Sequence, residues 1–371
     1  MRKEALGCGY SFSSVVDSDG FVWAWGQVTA WGIPTYNYCK TQSPVQHDLE
    51  NIQSISLGQY HAVALDNNGA VWVYGENSYG QLGVGHKDME FGLKKLRSLP
   101  KIKQVATHSL HTILLDDASD VWVFGRNTHG QLGLGHTNDG VDTPTKIELD
   151  GFPKIAFICA GRSHSIFIAV DGSAWACGEN TSRELGIDDA ASCILVPRKV
   201  SSLTGLTMAA AGHGVSIFVG NGNAWVCGSN ANYRAGFETK GNISKPQKLE
   251  FPEEAGEVKI KDVSCGFMHT LLLDEEGGVW GCGDNSTEQL GWMKSGDYPL
   301  TKLENIPEMT SVKCGEYHSL FLDCDGRVWS CGAGNKGQLG RREEQGVHPI
   351  LELMPIFTFS QDQLVKSARN I

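Results

Sequence analysis

The sequence predicts an all-β protein, a seven-bladed β-propeller of four-stranded blades. Three observations predict it. A Trp followed three residues later by Gly occurs seven times, at Trp23/Gly26, Trp72/Gly75, Trp122/Gly125, Trp175/Gly178, Trp225/Gly228, Trp280/Gly283 and Trp329/Gly332. The glycines of these pairs lie 49 to 55 residues apart, a period that belongs to propellers and solenoids. Each pair is preceded by a hairpin pattern, and no stretch carries a helical period.

Within one copy the elements follow in a fixed order. His61 to Leu65 is an apolar strand, Asn68-Gly69 a turn, and Ala70 to Tyr74 a second strand. The turn recurs as Asp19-Gly20, Asp171-Gly172, Asn221-Gly222 and Asp325-Gly326, with Glu276-Gly277 and Ala118-Ser119 as weaker versions. An Asx-Gly pair between apolar runs predicts a two-residue hairpin with both central residues at positive φ. A Gly-rich loop follows, clearest as Gly80-Gln-Leu-Gly83 and Gly130-Gln-Leu-Gly133, and its constant spacing points to backbone geometry. Prolines then open the next segment, at Pro44, Pro144, Pro197, Pro246, Pro299 and Pro349. Proline is tolerated at a sheet edge, so this segment is read as the outer strand. A fourth run, such as Ile52 to Leu57, leads back to the hairpin. The first copy lacks leading strands in this pattern, so Ile350 to Ile371 is expected to complete the blade begun by Ala5 to Gly26. One blade shared between the two ends would leave no open edge. The whole chain, 1–371, is then a single domain.

Read together, these residues resemble the regulator of chromosome condensation (RCC) repeat family over residues 5 to 353. The shared signature is Gly-x-x-His, an Asx-Gly hairpin, Trp-x-x-Gly, then Asn-x-x-Gly-Gln-Leu-Gly; His61, His111, Asn77 and Asn127 carry it in the second and third copies. The family includes exchange factors for Ran-type small GTPases, ubiquitin-ligase modules, ciliary scaffolds, a plant UV-B photoreceptor and bacterial effectors. The resemblance therefore implies the fold more sharply than the function.

Composition narrows the classes. The formal net charge is −11, and Arg341-Arg342 is followed at once by Glu343-Glu344. Wrapping a phosphate backbone needs a basic patch, so no nucleic-acid partner is expected. No apolar run reaches the length of a membrane span, and no membrane partner is expected. Of eleven cysteines, Cys177, Cys227, Cys282 and Cys331 precede the glycine of the Trp pair, while Cys8, Cys265 and Cys314 precede that of Gly-x-x-His. Equivalent sites in different blades lie apart, so these read as small buried hydrophobes in a reduced, intracellular protein, expected in the cytoplasm with the nucleus as the alternative.

Candidate chemistry is sparse. No phosphate loop, paired-acid motif or metal-ligand spacing is present, so neither cofactor nor metal nor catalytic residue is expected. Histidine recurs at one repeat position, as His61, His111, His164, His269 and His318, with Phe12 and Val215 in the other two copies. One reading is a structural imidazole capping strand ends. The other comes from the resemblance, in which this position lines the face that engages a GTPase. The repeat residues Trp72, Gly75, Trp122, Gly125, Trp280, Gly283, Trp329 and Gly332 are assigned to structure. Trp31, Tyr36 and Tyr38, in an altered loop, form a candidate partner anchor, because aromatics dominate interface hot spots. Phe251 to Glu257 is an acidic insertion, read as a solvated loop or a protruding contact element. The expected function is a monomeric protein-interaction module, with guanine-nucleotide exchange on a small GTPase as the alternative. Exchange needs only differential binding, so the lack of a catalytic constellation leaves both open.

Overall fold

The computed structural model describes residues 5–27, 40–47, 49–200, 203–292 and 295–340, and the backbone of the strand Glu352–Thr358. They form seven antiparallel four-stranded sheets, each built from consecutive strands. Blade 1 is Leu6–Cys8, Phe12–Val16, Val22–Gln27 and Lys40–Gln46. Blade 2 is Ile52–Leu57, His61–Asp66, Val71–Gly75 and Glu90–Lys95. Blades 3 to 6 begin at Ile102, Ile155, Met208 and Ile260. Blade 7 is Met309–Cys314, His318–Asp323, Arg327–Gly332 and Glu352–Thr358. The first strands of successive blades touch one another around the ring, and Leu6–Cys8 meets Met309–Cys314. These inner strands line the central channel.

The expected shared blade does not form. Glu352–Thr358 pairs with Arg327–Gly332 and is the outer strand of blade 7, while Leu6–Cys8 pairs with Phe12–Val16 in a blade that is already complete. The leading strand of the first copy is present but only three residues long, too short to leave an alternating pattern. The ring instead closes by side-chain packing of Leu6, Val15 and Trp25 against Leu320 and Val328. Every other core cluster also lies between two blades, as where Phe12, Val16 and Ala24 meet Ile55, Ala62 and Tyr74. The outer-strand reading of the prolines holds for Pro44, Pro144, Pro197, Pro246 and Pro299, while Pro349 lies outside the described residues and the outer strand of blade 7 carries Pro355.

The hairpins are present, but their turns differ from the expected type. In blade 2 Gly69 has φ 81° and Asn68 is not in the left-handed region. The amide of Gly69 donates to the Asp66 carbonyl and that of Asp66 to the Ala70 carbonyl, a type I turn closed by a left-handed glycine. Only Asn221 and Gly222 both have positive φ, 51° and 75°. The reason for the longer turn is the aspartate that precedes it. Asp66 Oδ1 accepts the amides of Asn68 and Ala70, and its Oδ2 accepts the Trp72 indole N–H at 3.2 Å. The same Asp-to-Trp bond is made by Asp17, Asp116, Asp274 and Asp323. Five of the seven repeat tryptophans are thus fixed at both ends, the indole edge on an aspartate and the ring face in the inter-blade core, while Trp175 donates to the Ser173 hydroxyl instead. Asp323→Ala is expected to cost about 2 kcal/mol, since it removes both a turn and an indole acceptor at a buried site. Urea unfolding checks this; a loss under about 0.5 kcal/mol would show the tryptophan is held by packing alone.

The Gly-Gln-Leu-Gly loops are also structural. Asn77 Oδ1 accepts the Leu82 amide and its side-chain N–H donates to the His86 carbonyl, and Asn127 repeats this with Leu132 and His136. Gly75, Gly125, Gly283 and Gly332 have φ between 100° and 110°, and a Cβ on Gly75 would meet the Tyr60 carbonyl at 2.5 Å. The acidic insertion is a short 3-10 turn, Glu253–Ala255, tethered where Phe251 packs edge-on against Trp280 at 5.0 Å.

Candidate protein-binding face

The five repeat histidines are 0–1% exposed. Each begins the second strand of its blade, and its Nε2 reaches the hydroxyl that follows the same position in the next blade. The pairs are His61–Thr112 at 3.2 Å, His111–Ser165 at 3.1 Å, His164–Ser216 at 2.9 Å, His269–Ser319 at 2.9 Å and His318–Ser13 at 2.7 Å. Each hydroxyl donates onward to a loop carbonyl of the blade before it, as Thr112 does to Gln81 and Ser319 to Gln289. A hydroxyl whose proton is so committed can only accept from the ring, which assigns the neutral Nε2–H tautomer. Nδ1 of His61, His111, His269 and His318 has no partner, and burial pushes all five imidazoles down to about 3. In four of the five the Cε1–Nδ1 edge of the ring packs against the glycine three residues earlier: a Cβ on Gly58, Gly161, Gly266 or Gly315 would overlap it.

One of the two departures from the pattern is matched; the other is not, since Val215 stands in blade 5 while Thr270, the equivalent hydroxyl of blade 6, is present and donates to the Arg234 carbonyl at 2.8 Å. Phe12 stands where blade 1 lacks histidine, and the residue it faces in blade 2 is Ala62, which offers no hydroxyl. The hydroxyl partners were not among the sequence-derived candidates. Their signal was present in the residue immediately after each repeat position, read one copy further on.

What a partner can touch lies above this layer, on the two residues inside each Gly-x-x-His. These loops meet around the channel mouth and are tied by backbone bonds, Gln59 N–H to Ser109 O at 3.0 Å, Arg162 N–H to Gly212 O at 3.2 Å and Glu316 N–H to Gly9 O at 3.3 Å. Their side chains form one continuous patch. Tyr10 lies 5.5 Å from Tyr60 and 6.4 Å from Tyr317 between ring centres, and Phe267 lies 5.5 Å from Tyr317. His213 stacks on Phe267 at 4.3 Å, and the Arg162 guanidinium covers the same phenyl ring and contacts His213 Nε2. Burial raises the Glu316 carboxyl to about 7 against the pull of Arg162. His108 takes the place of a repeat glycine and bonds the Cys265 backbone, with burial lowering it to about 4. Half-buried aromatic rings and one exposed arginine on a hydrogen-bonded base have the composition of an interface hot spot. No group of three or more potential metal ligands occurs among the described residues.

The predicted sites therefore separate. The five histidines form a layer beneath the face, and the structural tryptophans and glycines lie in the blades. Trp31, Tyr36 and Tyr38 lie outside the described residues. Tyr10, Tyr60, Tyr317, Phe267 and Arg162 were missed because no single copy carries more than one or two of them; only the ring brings them together.

Comparison with known proteins agrees with this geometry. The pattern of the RCC1-like domain matches residues 3–258, and those of the regulator of chromosome condensation (RCC1) repeat match 260–289, 276–322, 309–338 and 325–360. The ultraviolet-B receptor UVR8 of Arabidopsis thaliana is 29% identical over 80% of this chain and 68% of its own length. The human probable E3 ubiquitin-protein ligase HERC6 is 28% identical over 65% of this chain, which spans only 19% of the ligase. Among solved structures, Prp20p from Saccharomyces cerevisiae superposes with a TM-score of 0.81 at 20% identity, covering 100% of this chain and 95% of that one. Human WBSCR16 gives 0.75 at 21%, covering 87% and 88%. At these identities the two structures speak for the fold.

Proposed function

Because the chain belongs to the RCC1-like domain family, we propose that it works as a protein-interaction module whose partner seats on the channel mouth. The observation that carries this reading is the continuous patch of Tyr10, Tyr60, Tyr317, Phe267 and Arg162. It rests on a hydrogen-bonded layer that costs little to hold in place on binding, and preorganisation of that kind favours affinity. Relatives in the family carry receptor and ligase functions, and Prp20p is described by its binding to Gsp1p and histones. For this chain a small GTPase is the partner class to test first, with exchange as the activity. The ten cysteines described form no disulfide with one another, and a reducing, cytoplasmic compartment is the proposed residence. No helix among the described residues is long and apolar enough to cross a membrane.

The test is affinity capture with the wild-type chain and with a Tyr60→Ala/Phe267→Ala variant, followed by release of fluorescent GDP from each captured GTPase. Partners retained by the wild type are expected to bind at least about tenfold more weakly to the variant, with the melting temperature unchanged. Partners that bind both proteins equally would move the interface off this face. Binding without nucleotide release would leave an interaction module and remove exchange.

A further inference from the structure

The outer strand of blade 2 differs from the other six. Outer strands expose a row of backbone N–H and C=O groups, and proline is one of the devices that keeps such an edge from pairing. Pro44, Pro144, Pro197, Pro246, Pro299 and Pro355 lie within six of these strands. Glu90–Lys95 has none. Lys95 stands opposite Trp72 as Lys146 stands opposite Trp122, so Leu93 occupies the place of Pro144. Beside it Phe91 is 58% and Met89 40% exposed, and Gly92 has no atom within 4 Å of where a Cβ would stand. The edge thus lacks the proline of the other six and shows exposed apolar side chains beside its lysines.

Its charge indicates what would cover it. Between Lys87 and Lys103 the sequence carries six basic residues and two acidic ones, on a chain whose net charge is −11. Lys94 lies 3.5 Å from Glu90 and Lys95 covers the Trp72 ring at 5.4 Å, while Lys101 lies 3.3 Å from Asp117. Self-pairing would bring two such basic segments and two acidic bodies together. We propose that the outer edge of blade 2 docks an extended acidic segment of a partner protein, which adds to the sheet as a fifth strand. Its main chain would pair with 90–95, and its acidic side chains would face Lys94, Lys95 and Arg97. This site is on the ring circumference, separate from the channel mouth.

The probe is a fluorescein-labelled decapeptide of alternating Glu and Val, compared with one of alternating Lys and Val. Anisotropy should show saturable binding of the acidic peptide, weakened by salt, with the basic peptide at least about tenfold weaker. Amide exchange of 89–95 should slow when the acidic peptide is bound. Leu93→Pro, which installs the residue used in other blades, should abolish both effects. Phe91→Ser, at an exposed position, should weaken binding about fivefold or more with stability unchanged, and it keeps the test open if Leu93→Pro unfolds. Binding that survives both variants, or no slowed exchange in 89–95, would overturn the proposal. A concentration-dependent dimer abolished by Phe91→Ser would assign the edge to a second copy and overturn it equally.

Discussion

Lowering the pH from 7 to 5 is expected to unfold the ring over a narrow interval. The five layer histidines are held near 3 by burial in the folded state, whereas in the unfolded chain they titrate near the ordinary value of about 6.5. Below that value the unfolded chain binds more protons than the folded one. Stability is therefore whole above about pH 6.5 and falls as the pH drops toward the folded value. Each such group contributes a slope of about 1.4 kcal/mol per pH unit once its unfolded form is charged, so five together reach about 7. That is comparable with the whole stability of an ordinary domain. The chemistry behind the slope is specific: a proton on Nδ1 would create a buried charge over a glycine, with no acceptor to receive it. Glu316 acts in the opposite sense. Its raised pKa favours the fold as pH falls from about 7, and burial raises the Glu184 carboxyl too. These two groups stand against the five layer histidines and against His108 and His213, which burial lowers to about 4. Urea midpoints measured at half-unit steps of pH check this, together with proton uptake on unfolding. A midpoint that stays level between pH 7 and 5 would mean that the imidazoles gain solvent or partners that the fold does not offer them.

His269→Ala is expected to cost about 4 kcal/mol, and His269→Phe only about 1 to 2. The alanine variant removes a fully buried ring and its bond to Ser319, leaving a cavity between blades 6 and 7. The phenylalanine variant fills the space as Phe12 does in blade 1, and Ser319 keeps its donation to the Gln289 carbonyl at 2.7 Å. Adding Ser319→Ala to His269→Phe reproduces the Phe12/Ala62 pairing. The Gln289 carbonyl then still receives the Cys331 thiol at 3.3 Å. The double variant should thus cost less than the sum of the two single ones by about 1 kcal/mol, read from guanidinium unfolding. Equal costs for alanine and phenylalanine would show that the hydrogen bond, not the volume of the ring, stabilises the layer, and strict additivity would show that ring and hydroxyl act independently.

The sequence made the blades legible because their determinants are local. Trp72/Gly75 and its equivalents, the turn residues and the edge prolines all lie within one copy, and each obeys a constraint of backbone geometry that permits few residue types. The turn type was misread because Asp66 lies outside the Asx-Gly pair and sets the longer loop from there. Closure was misread because Leu6–Cys8 is too short to alternate visibly. For the histidines, periodicity was plain but depth was not. An imidazole on a loop face and one bonded across a seam share a spacing, and only Thr112, some fifty residues beyond His61, separates them. The candidate face was least legible, since Tyr10, Arg162, Phe267 and Tyr317 come from four blades and from positions that vary freely within the repeat.

Because every blade is one continuous segment, the order in which the ring can be assembled during synthesis is largely prescribed. Each sheet needs only residues already made, and each new sheet finds its neighbour waiting. Contacts of that kind close short loops and form fast. One joint is different. Ser13 must meet His318 and the Gln338 carbonyl, 305 and 325 residues away along the chain. Until it does, the growing array is an open arc whose first and last blades each show a bare flank. The seam around Trp25 is thus a latch thrown last, and the arc that precedes it is the species a chaperone would meet on the ribosome.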